Sequence, residues 1–328
     1  MLTGEFTLID KISQRASGRA EVRLGIGDDC SALLISPEHE LLTSTDLLLE
    51  GVHFRLDWTD LRSLGLKAVA VNVSDIAAMG GTPLALYLGV GLPLDFRDAQ
   101  VEALLDGIFA GLQTYDLSLA GGDTSRSTGP LIISVTVQGS ALRNRAITRG
   151  GAASGDDLWV SGTLGDSALA LRRLQGGCPV STFLADRHFR PVARVQLGER
   201  LLAQKTATAM LDLSDGLCGD LGHMLRASKV GARVELEKIP LSGEFRSAVK
   251  ADPALFDLAL CGGEDYELLF SANITARTEI AEISHEVRLP LQRIGQITSG
   301  SERQIYLKNG QVYQPQLTAF DHFSAIKD

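Results

Sequence analysis

The acidic residues of this chain recur at one kind of place, the end of an apolar run beside Gly, Ser or Thr. Asp28 and Asp29 lie in GIGDDC, Asp46 ends STD, Asp75 lies in NVSD and Asp123 ends GGD. Asp212 and Asp215 lie in DLSDG, and Glu264 and Asp265 in GGED. Such junctions bring carboxylate and backbone close to a ligand, with glycine supplying tight conformations at little steric cost. An all-oxygen donor set of this kind suits Mg²⁺, Mn²⁺ or Ca²⁺ rather than Zn²⁺.

Asp75 is the most diagnostic of these residues. It lies in KAVAVNVSDIAAMGG, which reads as a helix apolar on nearly every face, so its carboxylate is expected to be buried. Asn72, one turn earlier, shares its face. A buried carboxylate is costly unless a cation, an arginine or several donors compensate. The competing reading is an Asp that caps a neighbouring loop; with so many other acids at strand ends, a shared cation is favoured.

Several familiar sites are missing. The 6 histidines show no HExxH spacing, and no DxDxDG loop with a distal Glu occurs. There is no GxxxxGK[ST] loop and no HRD or DFG set, and GIGDD is too generic to mark a dinucleotide site. The residues alone thus specify a phosphate site with several Mg²⁺ ions on an unassigned fold.

The elements that must position these motifs alternate between helix-like and strand-like, which predicts a mixed α/β architecture. EFTLIDKI reads as an amphipathic helix, and residues 41–46 as a strand running into a polar end. Residues 61–79 read as a helix, LALYLGVGLP as a strand, 99–115 as a helix, and LSLAGGD as a strand ending in a glycine turn. LIISVTVQG closes the first half. After the Gly- and Arg-rich passage ALRNRAITRGGAASGDD, strands are expected in DLWVSG, ATAMLDLSDG, ARVEL, GGEDYELLF and LQRIGQI. Helices are expected from about Asp166, over 192–203, and up to Leu225. Residues 76–94 carry no charge over a bilayer-spanning length, but glycines and prolines interrupt both ends, which argues for core.

A length of 328 residues predicts about two domains, and 45% hydrophobic with 22% charged residues is ordinary globular composition. The net charge of −9 disfavours a general nucleic-acid or membrane-surface role, while metal ions can still reverse the sign inside a site. Cys30, Cys178, Cys218 and Cys261 form no CxxC pair and read as reduced packing residues. The start MLTGEFTLIDKIS lacks the pattern of a signal peptide, so a cytoplasmic location is expected.

The ordered set GIGDDC, STD…GVHF, NVSDIAAMGG, GGDT, TRGGAASGD, SGTLGDS, DLSDGL, GGEDYEL and FDHF closely resembles bacterial thiamine-monophosphate kinases, of the aminoimidazole-ribonucleotide synthetase-like superfamily. The likeness runs from Gly4 to near the C-terminus. It implies a two-domain α+β fold: residues 1–141 bind ATP and Mg²⁺ and dimerise, and the α/β domain 142–328 completes the active site. It further implies a homodimer paired through the N-terminal domains, with ATP and several Mg²⁺ ions in each protomer. The implied reaction is ATP-dependent phosphorylation of thiamine monophosphate to thiamine diphosphate, by direct in-line transfer and with no general base nominated. On the matching positions, Asp29, Ser44, Thr45, Asp46, Asp75, Asp123, Asp212 and Asp215 resemble the metal ligands. Gly122, Asp123, Arg149 and Ser214 resemble ATP contacts, and His53, Glu264 and Phe320 the thiamine-phosphate pocket. Phe320 keeps the ring where the family often carries tyrosine, without the hydroxyl.

Bland alternatives stand beside these roles: strand-terminating Ser44 and Thr45, a surface Arg149, and a packed His53 between Val52 and Phe54. Two other functions remain open at this point, an ATP-dependent ligase closing an imidazole ring and a non-enzymatic Mg-nucleotide sensor.

Overall fold

The computed structural model describes residues 5–16, 18–300 and 304–318. They form two compact units. The first takes the described residues up to Ala77 and Gly81–Ala146; the second takes Ala78–Gly80 and the described residues from Ile147 onward.

In the first unit the chain runs α1 (Glu5–Arg15), β1 (Val22–Leu24), β2 (Ala32–Leu33), β3 (His39–Leu49), α2 (Leu61–Ala78), β4 (Thr82–Pro93), α3 (Asp98–Thr114), β5 (Ser118–Ser127) and β6 (Ile132–Leu142). A four-stranded sheet has the order β3-β6-β4-β5, with only β4 and β5 parallel. The period-2 alternation of IISVTVQGSAL explains its two faces. Ile133, Val135 and Val137 of β6 are fully buried, while Ser134, Thr136 and Gln138 between them are only half-buried. On the more open face Leu41 and Leu47 of β3 remain 43% and 55% exposed. Helix α2 packs on the buried face, where Ile76 meets Gly139 of β6. Leu64, Ala68, Val69, Val73 and Ile76 are all nearly inaccessible, so this helix is buried around most of its circumference. It crosses α3 closely: a Cβ on Gly107 would lie 2.0 Å from the Arg62 carbonyl oxygen.

The second unit runs β7 (Asp157–Ser161), α4 (Asp166–Gln175), α5 (Thr182–Phe189), α6 (Val195–Ala203), β8 (Ala207–Asp212), α7 (Leu217–Ser228) and β9 (Gly231–Glu235). It continues with α8 (Gly243–Ala251), α9 (Leu258–Cys261), β10 (Leu268–Ala272), α10 (Arg277–Glu286), β11 (Leu291–Thr298), β12 (Gln304–Lys308) and β13 (Gln311–Tyr313). The strands join in the order β13-β12-β9-β11-β7-β10-β8, all antiparallel except β12 with β9. Two apolar cores form. Leu158, Val160 and Leu211 pack with Leu169, Leu221 and Phe245 from α4, α7 and α8. Met210, Leu268 and Phe270 pack with Leu197 and Leu201 of α6 and Ile280 and Ile283 of α10. Strand β10 is buried at every residue, as its unbroken run LLFSA requires of a strand covered on both faces.

Residues 76–93 are mostly core, divided between the end of α2 and β4, whereas Leu94 is 64% exposed; no described helix is long and apolar enough to cross a membrane. Other expectations need correction. The strand in LSLAGGD does not end in a glycine turn; β5 continues to Ser127, paired in parallel with β4 through Gly89↔Asp123 to Pro93↔Ser127. The helix expected over 192–203 begins only at Val195, after Pro191. Helix α5, capped by the Ser181 hydroxyl accepting from Leu184 N at 3.2 Å, was not anticipated. In GGEDYELLF only the last residues enter a strand.

The glycine pair in β5 has a packing role. A Cβ built on Gly122 would stand 2.1 Å from the Leu88 carbonyl oxygen of β4, a backbone atom that cannot step aside. Gly122→Ala is therefore expected to cost about 2 kcal/mol or more. Gly129→Ala, with nothing within 4 Å of the new methyl, should stay within about 0.5 kcal/mol. Urea denaturation without ligand compares them; equal midpoints would contradict the close-approach argument.

Candidate functional site

In the first unit, two groups of predicted site residues form. Strand β3 alternates its side chains, so Ser44 and Asp46 share one face and Thr45 takes the other. The Ser44 hydroxyl donates to Asp75 Oδ2 at 2.5 Å. Asp75 is half-buried rather than fully buried, and the charge of Asp75 reaches Asp46. Desolvation first, and then that charge, push the Asp46 carboxyl up to about 6, although part of the residue's surface stays accessible. Asn72 shares less with Asp75 than expected: its amide turns back along α2 to donate to the Ala68 carbonyl at 2.8 Å. The Thr45 hydroxyl faces away from Ser44 and Asp46. It bonds Val135 O at 3.1 Å and Thr136 Oγ1 at 3.0 Å across the sheet, so Thr45 could join Asp46 in a metal site only through its main chain.

The second group surrounds a cavity of about 570 Å³. Leu8 and Ile12 of α1, Val90 of β4 and Leu104 of α3 are among its apolar walls, and Asp28, Asp29, Gly122, Asp123 and Thr124 also line it. The Asp29 amide donates to Asp28 Oδ1 at 2.9 Å, which turns this short loop. His53 lies half-buried in the turn after β3. Its Nδ1 accepts the Leu49 amide proton at 3.0 Å, which orients the ring.

In the second unit, two loops are stitched together by main-chain hydrogen bonds. Leu213 N donates to Glu267 O at 2.8 Å, Tyr266 N to Leu213 O at 2.9 Å, and Glu264 N to Ser214 O at 2.8 Å. DLSDG and GGEDYE thereby become one structure. Glu264 and Tyr266 take left-handed backbone conformations, φ +66° and +49°, strain that the stitching maintains. The three acids of GGEDYE then diverge. Glu264 keeps a side chain 26% exposed. Asp265 is buried, accepts the Gly165 amide at the start of α4 through both oxygens (3.1 and 2.9 Å), and is pushed by burial up to about 8. Glu267 is buried too, but Arg194 (Nε to Oε2, 2.8 Å), Arg187 (3.1 Å) and the Ser161 hydroxyl (2.6 Å) outweigh desolvation and hold it below the usual carboxylate range.

Asp212 ends β8 and is 6% exposed, and Asp215 follows in the turn before α7. Sequence reading missed their neighbour Asp220, in the first turn of α7 and also 6% exposed. Its Oδ2 accepts the Asp215 amide at 3.0 Å. Burial first, then the charges of Asp215 and Asp212, push it up to about 8, partly offset by Arg149. The available signal was DLSDG followed by an acid in the helix's first turn, which ordinarily reads as a capping residue. Arg149 is exposed, and its loop is anchored by Ser228 Oγ, which donates to Arg149 O at 3.1 Å and accepts the Gly151 and Ala152 amides at 3.1 Å each. Cys218 and Cys261 flank these loops, their sulfurs 2.9 Å apart. Phe320 and the FDHF motif lie outside the described residues.

Among the described residues, no three His, Cys, Asp or Glu side chains form a ready metal cage. The hard-oxygen set Ser44, Asp46 and Asp75 nonetheless fits Mg²⁺: a hydroxyl and two carboxyls stand together, the Asp46 carboxyl raised first by desolvation and then by the charge of Asp75. In metal-free protein Asp46→Asn should raise Tm. The folded pKa of about 6 exceeds the ordinary 3.8, so ionised Asp46 destabilises the fold fully above pH 6, partly between the two values and not below 3.8. The Tm gain should thus be present at pH 8 and gone near pH 3.5; a gain independent of pH would contradict this assignment.

Comparison with known proteins places these features. Residues 27–141 match the model of the AIR synthase related protein N-terminal domain, and residues 153–308 that of its C-terminal domain. Thiamine-monophosphate kinase of Escherichia coli K12 is 41% identical over 330 residues, 99% of each chain. That of Bacillus subtilis 168 is 31% identical over 313 residues, 94% of this chain and 95% of its own. The crystal structure of thiamine-monophosphate kinase from Stenotrophomonas maltophilia K279a superposes with TM-score 0.84 at 41% identity, covering 95% of this chain and 99% of that one. AaThiL complexed with AMPPCP and TMP gives 0.77 at 34%, covering 98% and 99%. The hydrogenase maturation protein HypE, at 17% identity and TM-score 0.78 over 95% and 96%, shares the fold alone.

Proposed function

Because the chain belongs to the thiamine-monophosphate kinase family, we propose that it uses ATP to phosphorylate thiamine monophosphate to thiamine diphosphate through a multi-Mg²⁺ site. The observation that carries this reading is the Ser44–Asp75 contact of 2.5 Å beside Asp46, whose carboxyl is raised to about 6. Carboxylates kept together against their repulsion suit a site whose ligands are cations and whose substrates are phosphates. The relative AaThiL, solved with AMPPCP and TMP, supports the substrate pair.

The first barrier is charge. Two unit charges about 4 Å apart at an effective dielectric near 20 repel by about 4 kcal/mol, and donor and acceptor phosphates are both anionic. Bound magnesium ions would supply positive charge against that repulsion. Asp29, Ser44, Asp46, Asp75 and Asp123 of the first unit, with the Thr45 main chain, and Asp212 and Asp215 of the second are the proposed ligands. Gly122, Asp123, Arg149 and Ser214 are the proposed ATP contacts, and the apolar walls of the cavity ending at Asp28, Asp29 and Asp123 suit a nucleobase. His53, Glu264 and Phe320 are assigned to thiamine monophosphate. Glu264 complements the positive thiazolium ring, and Phe320 offers it an aromatic face. A phosphate monoester has a second pKa of about 6, so the acceptor oxygen is already anionic at neutral pH. Transfer is then direct and in line, with no general base and no phosphoenzyme.

The domain roles follow the same reading: residues 1–141 bind ATP and pair two protomers, and 142–328 complete the site. Leu41 and Leu47, exposed on the open face of the first unit's sheet, support a homodimer formed there. The location proposed is the cytoplasm.

Purified protein should convert thiamine monophosphate, but not thiamine, to thiamine diphosphate with ATP and Mg²⁺, followed by chromatography. Asp75→Asn should lower kcat by roughly 100-fold or more with Tm preserved. No product from folded wild-type protein would remove the kinase reading and favour the ring-closing ligase; full Mg²⁺-dependent activity in Asp75→Asn would remove the ligand assignment.

A further inference from the structure

His188 stands outside every role assigned so far, yet it touches one of the substrate residues. It occupies the last turn of α5, is 5% exposed, and meets Phe189 edge-on with ring centroids 4.9 Å apart. Its Nδ1 lies 3.3 Å from Glu264 Oε2 and 2.9 Å from Ser167 Oγ, a buried hydroxyl in the first turn of α4. His188 Nδ1 thus stands within reach of both a hydroxyl and the Glu264 carboxylate, and a proton on it would be donated toward those oxygens.

We infer that His188 is a positioning residue for substrate recognition: it helps to orient the Glu264 carboxylate toward the cationic ring of the acceptor. The inference rests on the proposed role of Glu264. Two features of the geometry carry it. Glu264 sits on a left-handed residue, φ +66°, held from the backbone by Ser214 O, so its main chain is set while its side chain remains partly exposed. The buried imidazole, which also contacts Ser167 and Phe189, lies against that side chain and restrains it. An imidazole N–H can hold the carboxylate without the fixed positive charge that a lysine or arginine in the same place would bring. Pre-ordering the carboxylate spares the substrate that ordering cost on binding.

The test is a double-mutant cycle on the full-length enzyme. His188→Leu should raise KM for thiamine monophosphate about tenfold, leave kcat within about twofold and leave KM for ATP unchanged. His188→Asn, which presents an amide N–H close to the position of Nδ1, should recover most of the loss. Adding His188→Leu to Glu264→Gln should change KM no further, because the histidine acts through the carboxylate. A merely structural histidine would instead lower Tm, affect both substrates, remain unrescued by Asn and add to Glu264→Gln. If Glu264→Gln raises KM for thiamine monophosphate but His188→Leu does not, the positioning role alone falls. If Glu264→Gln itself leaves that KM unchanged, the substrate role of Glu264 falls and the inference with it.

Discussion

Like charges gathered close together are unfavourable, and the fold holds several of them together regardless. In one unit Asp46 is raised by Asp75; in the other Asp220 is raised by Asp215 and Asp212. Each such group shifts toward protonation because burial and a neighbouring anion act in the same direction. The scaffold around them must therefore hold the acids close by other means. A buried helix does this for Asp75 and a regular strand for Asp46. For the turn after β8, main-chain hydrogen bonds to GGEDYE do so. Their stability depends on apolar burial and backbone pairing rather than on the acids themselves.

GGEDYE shows how one short segment can serve structure and binding together. Glu267 and Asp265 turn inward, one into a cage of arginines and the other onto the start of α4. A buried carboxylate with two guanidinium partners strongly specifies where its backbone must be, because breaking any member strands a charge. That certainty passes along two residues of strained backbone to Glu264, the acid left partly in solvent.

Much of this could be read from the residues themselves. Helix α2 announced its burial through KAVAVNVSDIAA, and β6 announced its two faces through strict alternation, because both signals are local and periodic. Motifs at strand ends were legible for the same reason. What escaped depended on long-range pairing. Strand β5 runs through its glycines only because β4 lies beside it in register. Thr45 looked equivalent to Ser44 and Asp46 until pleating set it on the opposite face. Asp220 and His188 carry no motif; they matter because α7 brings one to Asp215 and α5 brings the other to Glu264. Helix α5 is also short, and TFLADRHF has too few apolar positions to show a period. The roles of the site residues came from the ordered motif set, which no single spacing contained.

The close approach at Gly122 has a consequence for the history of such a chain. A residue whose methyl would strike the Leu88 carbonyl at 2.1 Å is under selection from the sheet before any nucleotide is considered. Descendants that lost nucleotide binding altogether would still lose stability on replacing this glycine. Invariance at Gly122 across a lineage would then be a record of ancestry in the sheet, and Asp123 beside it, with no such steric obligation, would be the position free to drift once the chemistry was abandoned.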